Sequence, residues 1–354
     1  MIAAGGTAGH VVPAIAVADA LRAEGAQVSF VGGERAEAEL VPAAGYALDP
    51  IAVEGISRSN PLKAARALAK AAASLRVANA IVKRRAPDAV LGGGGYVAGP
   101  VGLVAALKRI PLVLAEADSH LGLTNRALAP RAERVCLAFP IEGRDDPRFR
   151  VTGRPVPPAH ADRGEARHRL GFGPDDTVVL VFGGSLGARS INAAAVKAFA
   201  DAPYRVLHVA GKRDYEQLSA PNPRYALRDY LTPFGEALVA ADIAVARSGG
   251  SVFELAQYGL PAVLIPYPHA SADHQTTNAR WMERAGAAVV IRDDELTPER
   301  LRAEVDAIAL DPARRAAMSE ASKRLARPDA AREIAGEVLR AASKAGRGTE
   351  APRP

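Results

Sequence analysis

The strongest constraint on this chain is an alternation, present in both halves, of short apolar runs with longer amphipathic stretches. In the first half residues 2–4 precede 11–23, residues 27–31 precede 34–43, and further apolar runs follow at 89–91, 112–115 and 135–137. Alternating β-like and α-like segments predict a parallel sheet covered by helices. A stretch holding Pro140, Pro147, Pro155, Pro157 and Pro158 then reads as a linker. Beyond it the pattern restarts, with strands expected at 177–182, 206–210, 243–246, 262–265 and 288–291 and a helix at 188–200. Thr297 before Pro298 marks a helix N-cap, and the chain reads as helical from there to about residue 342.

At 354 residues the chain exceeds the size at which one core keeps growing, so two α/β domains are expected. Their bounds are read as 1–155 and 156–342, with the last helices free to pack back on the first domain and 343–354 a disordered tail. Hydrophobic residues at 49% and charges at 24% belong to an ordinary globular protein. Cys136 is the only cysteine, which excludes an intramolecular disulfide and fits a cytoplasmic protein. The N-terminus shows no secretory pattern, and the apolar stretch 96–107 falls short of the ~20 residues needed to cross a bilayer.

Glycine-rich turns carry the chemistry. Gly5-Gly6-Thr7-Ala8-Gly9-His10 lies between a strand and a helix, where backbone N–H groups and the helix dipole make an anion site. A dinucleotide fingerprint would need glycine at position 4, where Ala4 stands, so a nicotinamide loop is excluded. His10 falls at the carboxyl edge of the sheet, where open α/β sheets bind ligands, and is a candidate general base. Gly92-Gly93-Gly94-Gly95-Tyr96 permits close approach of a ligand or simply turns the chain. Gly183-Gly184-Ser185-Leu186-Gly187-Ala188 repeats the strand, turn and helix order and suits a diphosphate, with the Ser185 hydroxyl as an added donor. The same residues match a G-x-S-x-G nucleophile elbow, for which Asp242 with His269 or His274 could complete a hydrolase triad.

Arg247-Ser248-Gly249-Gly250-Ser251 follows another apolar run, and Glu254 stands about one turn into the next helix. Its carboxylate either accepts the hydroxyls of a ribose or complements the helix dipole. The polar stretch from His269 to Asn278 suits a hydroxyl-rich ligand. Read as a metal cluster, His269, Asp273 and His274 lack the paired Asp-x-Asp carboxylates of a metal–diphosphate site, and no P-loop or Cys-x-x-Cys pair is present.

Taken in order, these motifs resemble those of the bacterial lipid II-forming glycosyltransferases, the undecaprenyldiphospho-muramoylpentapeptide β-N-acetylglucosaminyltransferases. The resemblance runs from Gly5 to about Arg340 and rests on the turns above, with Gly94-Gly95-Tyr96-Val97-Ala98-Gly99-Pro100, Gly122-Leu123-Thr124-Asn125 and Asp273-His274-Gln275-Thr276-Thr277-Asn278-Ala279. It implies a GT-B fold of two Rossmann-like domains whose parallel sheets face each other across a cleft. The second domain would hold UDP-N-acetylglucosamine and the first the lipid-linked muramoyl pentapeptide. On the donor side it assigns ribose to Glu254, uracil to Leu231 and Phe234, and diphosphate to Ser185, Leu186 and Gly187, with Thr7 and Gly9 closing on it. Arg247, Ser248 and Gly249 also line the donor site, and Gln275 and Asn278 touch the sugar. Gly94, Tyr96, Glu116, Asp118 and Asn125 face the acceptor, and His10 removes the proton of its 4-hydroxyl. The implied reaction inverts the anomeric centre without cofactor or metal, using N–H donors and helix N-termini to meet the charge on UDP.

Two places depart from that pattern. Ala115-Glu116-Ala117-Asp118 stands where the family shows His-Glu-Gln-Asn, and Pro157 occupies a position that is usually basic, with Arg154 nearby.

From Arg58 to Arg85 there are eight basic residues and no acidic one. Lys63, Arg66 and Lys70 share a helical face, Arg76 follows, and Lys83, Arg84 and Arg85 cluster at the expected C-terminus, where cations also suit the dipole. Anionic head groups attract such clusters by about 1 kcal/mol per cation. Weak, peripheral adsorption to the cytoplasmic face of the cell membrane is therefore expected. Nucleic acid is not, for lack of a recognised motif. The competing readings are a GT-B transferase with another acceptor, a UDP-N-acetylglucosamine 2-epimerase, a serine hydrolase and a noncatalytic sugar-nucleotide binder.

Overall fold

A computed structural model of the chain describes residues 1–52, 61–157, 162–184, 187–270 and 273–347, the side chains of 61–72 and 345–347 excepted. The chain divides into two compact units, Met1–Pro157 with Arg327–Pro354, and Pro158–Ala326. The second unit thus ends at Ala326 and not at residue 342, because the last helix belongs to the first unit.

Seven parallel strands form the first sheet: β1 (Ile2–Ala3), β2 (Ser29–Gly32), β3 (Ala47–Pro50), β4 (Val90–Gly92), β5 (Leu112–Glu116), β6 (Arg134–Leu137) and β7 (Phe149–Val151), in the order β3-β2-β1-β4-β5-β6-β7. A parallel sheet needs crossover helices on its faces, so its central strands read as unbroken apolar runs. On one face α1 (Ala8–Ala23), α2 (Ala36–Ala43) and α13 (Ala330–Arg347) bury Val11, Leu21, Val41, Ile334 and Val338 with Phe30. On the other, α3 (Pro61–Arg85), α4 (Ala98–Leu107) and α5 (Leu123–Leu128) bury Ile81, Val101 and Leu128 with Leu112 and Leu114. The stretch read as a linker contains β7, which pairs with β6.

The second unit repeats the plan with β8 (Val178–Phe182), β9 (Arg205–Val209), β10 (Tyr225–Arg228), β11 (Ile243–Ala246), β12 (Ala262–Leu264) and β13 (Ala288–Val290), ordered β10-β9-β8-β11-β12-β13. Helices α7 (Arg189–Ala198) and α11 (Pro298–Ala309) cover one face through Ile191, Leu301, Val305 and Ile308. The α11 cap is as expected, since the Thr297 side chain accepts from the Arg300 N–H. In each sheet the strand order reverses beside the first strand, between β1 and β4 and between β8 and β11. Doubly wound sheets bind ligands outside the carboxyl ends of the strands at that reversal, and the glycine turns lie there.

Candidate functional site

In the first unit the chain leaves β1 through Gly5 and Gly6 and enters α1 with Thr7 as its N-cap. The Gly6 N–H donates to Glu37 Oε2 at 2.8 Å and the Gly33 N–H to Glu37 Oε1 at 2.8 Å. Glu37 is buried, so the turn read as open to an external anion already has one amide on the chain's own carboxylate. Sequence reasoning passed over this glutamate, because an acid in the first turn of α2 reads as an ordinary dipole complement. A Cβ on Gly95, at φ +77°, would lie 1.9 Å from the Gly5 carbonyl oxygen, so only glycine lets the turns after β1 and β4 interlock.

His10 sits in the first turn of α1 against Gly94, whose Cβ would lie 2.7 Å from His10 Nδ1. That nitrogen is buried without a hydrogen-bond partner among the described residues. Burial holds the imidazole below its ordinary value of 6.5, Arg154 pushes the same way and Asp118 opposes both. The Arg154 guanidinium donates to the Gly9 carbonyl at 2.6 Å and so grips the turn that carries His10. Beside the imidazole lies a cavity of about 30 Å³ lined in part by Ala115, Glu116, Cys136 and Arg154, room for about one water molecule.

The residues assigned to the acceptor side divide in two. Tyr96 is 52% exposed with the Arg35 guanidinium 5.9 Å from its ring centre, and Asp118 is half-buried. Glu116 and Asn125 point inward. The Glu116 carboxylate accepts from the N–H groups of Gly122 and Asp118 at 2.8 and 3.1 Å and from Asn125 Nδ2 at 2.9 Å. Burial pushes its carboxyl up, and those three donors pull it back. Together they brace the loop between β5 and α5.

The basic helix forms as α3, but two of its cations have a partner the local sequence hides. Arg84 and Arg85 each reach Asp49 of β3 at 2.7 Å, and the Arg85 hydrogen bond is the largest influence holding the Asp49 carboxyl below its usual range. The segment's missing acid is therefore supplied from the neighbouring strand, and these two arginines are less available to lipid than expected. Arg76 and Lys83 are exposed, while Lys63, Arg66 and Lys70 lie outside the described side chains.

In the second unit Ser185 and Leu186 lie outside the described residues. Of the described residues flanking them, the Gly187 N–H donates to the Gly184 carbonyl at 2.9 Å. A Cβ on Gly187 would lie 2.0 Å from the Ala210 carbonyl, the counterpart of the crowding at Gly95. Ser248, Gln275 and Asn278 come together: Ser248 Oγ donates to the Gln275 carbonyl at 2.7 Å, and Asn278 Nδ2 donates to the Ser248 carbonyl at 3.0 Å. They join the loop after β11, which carries Gly249, to the start of α10 (His274–Arg284). Arg247 turns inward to Asp293 Oδ1 at 2.6 Å, to the Ile265 and Pro266 carbonyls and to Ser190 Oγ at 2.8 Å. Glu254 stands half-buried in the first turn of α9 (Ser251–Gln257). Leu231 and Phe234, also half-buried, flank a cis Thr232–Pro233 bond, and the Phe234 ring centre lies 5.0 Å from that of Phe182.

A cavity of about 730 Å³ opens beside this turn, lined by Gly183, Gly187, Arg189, Arg213, Arg247 and Gln275 among others. The hydrolase reading loses its acid: Asp242 precedes β11 at the amino end of the sheet, held by the Val178 N–H and Arg167 at 2.8 Å each, whereas the glycine turn follows β8 at the carboxyl end. Among the described residues no three His, Cys, Asp or Glu side chains gather as a metal site.

The glycosyltransferase family 28 N-terminal domain matches residues 1–137, and the glycosyltransferase family 28 C-terminal domain matches 178–334. A UDP-N-acetylglucosamine–N-acetylmuramyl-(pentapeptide) pyrophosphoryl-undecaprenol N-acetylglucosamine transferase of Salinibacter ruber is 42% identical over 97% of this chain and 97% of its own. A Moorella thermoacetica protein of the same name is 39% identical over 96% of this chain and 98% of its own. The crystal structure of Acinetobacter baumannii MurG matches with a TM-score of 0.77 at 28% identity, covering 96% of this chain and 98% of that one. With both domain matches in tandem and relatives aligned from end to end, this GT-B chain belongs to glycosyltransferase family 28 and is a sugar-nucleotide-dependent transferase.

Proposed function

We propose that this enzyme transfers N-acetylglucosamine from UDP-N-acetylglucosamine to the 4-hydroxyl of undecaprenyl-pyrophosphoryl-N-acetylmuramoyl pentapeptide, the step that completes lipid II in peptidoglycan synthesis. The observation that carries this reading is the end-to-end similarity, at 42% identity, to a relative whose name states that reaction. His10 Nε2 takes the proton of the 4-hydroxyl as its oxygen attacks the anomeric carbon. The bond from that carbon to the β-phosphate oxygen breaks, UDP leaves with the electron pair, and the α-linked sugar becomes β-linked. Holding the imidazole below 6.5 keeps it in the neutral form a general base requires at pH 7. Charge on the leaving UDP is met by the amides of the turn after β8 and the N-terminus of α7, with no metal ion taking part. The linkage formed tests this: magnetic resonance of the product should show a β-1,4 disaccharide. An α linkage, or a free altered sugar made without acceptor, would refute it.

The same reading puts the enzyme on the inner face of the cell membrane as a peripheral protein. No described helix is long and apolar enough to cross a bilayer. The exposed cations Arg76 and Lys83, with Lys63, Arg66 and Lys70 of the same helix, supply the attraction to anionic lipid. Cosedimentation with vesicles should be stronger for anionic than for neutral lipid and should weaken with salt; equal binding to both at low salt rules the electrostatic contact out.

A further inference from the structure

In the second unit a buried hydrogen-bonded chain, unused by the reaction above, runs from the sheet to the rim of the 730 Å³ cavity. His208 of β9 is fully buried, with Nδ1 2.7 Å from the Tyr225 hydroxyl and Nε2 3.0 Å from Asn192 Oδ1. The Asn192 amide nitrogen donates to the Ala210 carbonyl at 2.9 Å and to Asp214 Oδ2 at 3.1 Å, so its oxygen must face His208. Nε2 therefore carries the proton and Nδ1 accepts from Tyr225. Burial lowers His208 to about 4, which keeps the ring uncharged at neutral pH.

Asp214, at the end of the chain, is buried and faces two guanidinium groups. Arg213 donates to it through Nε and Nη2 at 2.7 Å each, and Arg189 Nε lies 3.3 Å away. Both arginines line the cavity beside the glycine turn. Arg189 is 75% exposed, and among the described residues Asp214 engages only its Nε, so the rest of its fork faces outward. One carboxylate against two guanidiniums leaves one positive charge over, while the adjacent Arg247–Asp293 pair is balanced. The guanidinium N–H groups that Asp214 does not take, the outer fork of Arg189 and Nη1 of Arg213, suit the oxygens of a phosphate.

We propose that Arg189 and Arg213 form an anion site for a substrate phosphate, with Asp214 as the positioning residue and the Asn192–His208–Tyr225 chain fixing Asp214. The inference rests on the proposed function, in which donor and acceptor each carry a diphosphate. The test compares UDP and uridine binding by calorimetry, with the KM for both substrates, in the wild type, the Arg189→Ala/Arg213→Ala double variant and Asp214→Asn. A donor phosphate predicts UDP affinity lower by roughly 10- to 100-fold in the double variant with uridine affinity unchanged. An acceptor phosphate predicts unchanged UDP affinity and a comparable rise in acceptor KM alone. Asp214→Asn should move the same quantity by a smaller factor, since it loosens the arginines without removing them. Wild-type values throughout the double variant, or equal weakening of uridine and UDP, would overturn the site. A wild type that binds neither UDP nor uridine would instead contradict the proposed function.

Discussion

A histidine acts as a base at neutral pH only while uncharged, and what surrounds His10 favours that form. Burial is the largest influence, with Arg154 reinforcing it and Asp118 opposing it. A base works above its own pKa, so the acid limb of the kcat/KM profile should have its midpoint below 6.5. Arg154→Ala should move that limb to higher pH and Asp118→Asn to lower pH; a profile that ignores both would mean the limb belongs to another group. With His10 as the proposed base, His10→Ala should lower kcat by ~10²- to 10⁴-fold. The place of His10 was legible because a strand, a glycine turn and a helix leave one spot at the sheet edge. Arg154 and Glu37 were not, since the first reaches the turn from 145 residues away and the second reads locally as a dipole complement. Glu37→Ala would strand two N–H groups at about 1 to 3 kcal/mol each. A correspondingly lower unfolding free energy in denaturant checks that its carboxylate closes the turn.

Among the elements, the strands missed by the sequence reading are β3, β7 and β10, and each lies at an edge of its sheet. An edge strand is covered on fewer sides and need not be an unbroken apolar run, as Ala47 and Pro50 of β3 and Arg150 and Val151 of β7 show by their exposure. Central strands such as β8, buried at every position, were legible for the converse reason. Nothing local marks the one polar side chain sealed inside β9. His208 must take up a proton on unfolding below pH 6.5 that it binds in the fold only near 4. The unfolded chain then holds more protons, so stability should fall as pH drops from about 6.5 toward 4, by roughly 3 kcal/mol at full effect for this group. Thermal unfolding across that range, with His208→Gln as comparison, checks it: the variant should start less stable and lose less on acidification.

For the whole molecule, the restart of the strand pattern made two units legible, and the glycine turns marked both reversals of strand order. The return of α13 to the first unit was left open by the sequence, because its contacts are with residues far away in the chain. Glu337, buried on α13, holds Arg134 at 3.0 Å and Arg150 at 2.8 Å, and Ile334 and Val338 enter the first unit's core. Glu337→Ala should cost about 2 to 3 kcal/mol, less than a fully buried pair, because Arg150 is part-exposed. Truncation after Ala326 should lower the melting temperature further, since it removes apolar core as well. A truncated protein as stable as the full chain would show that α13 is dispensable to the first unit. The central claim is chemical, and its most direct test is transfer of labelled N-acetylglucosamine from its UDP form to a lipid I analogue with EDTA present. The account predicts labelled lipid II and UDP in equal amounts, undiminished by the chelator. Folded enzyme that binds UDP-N-acetylglucosamine yet leaves the acceptor unlabelled would contradict it.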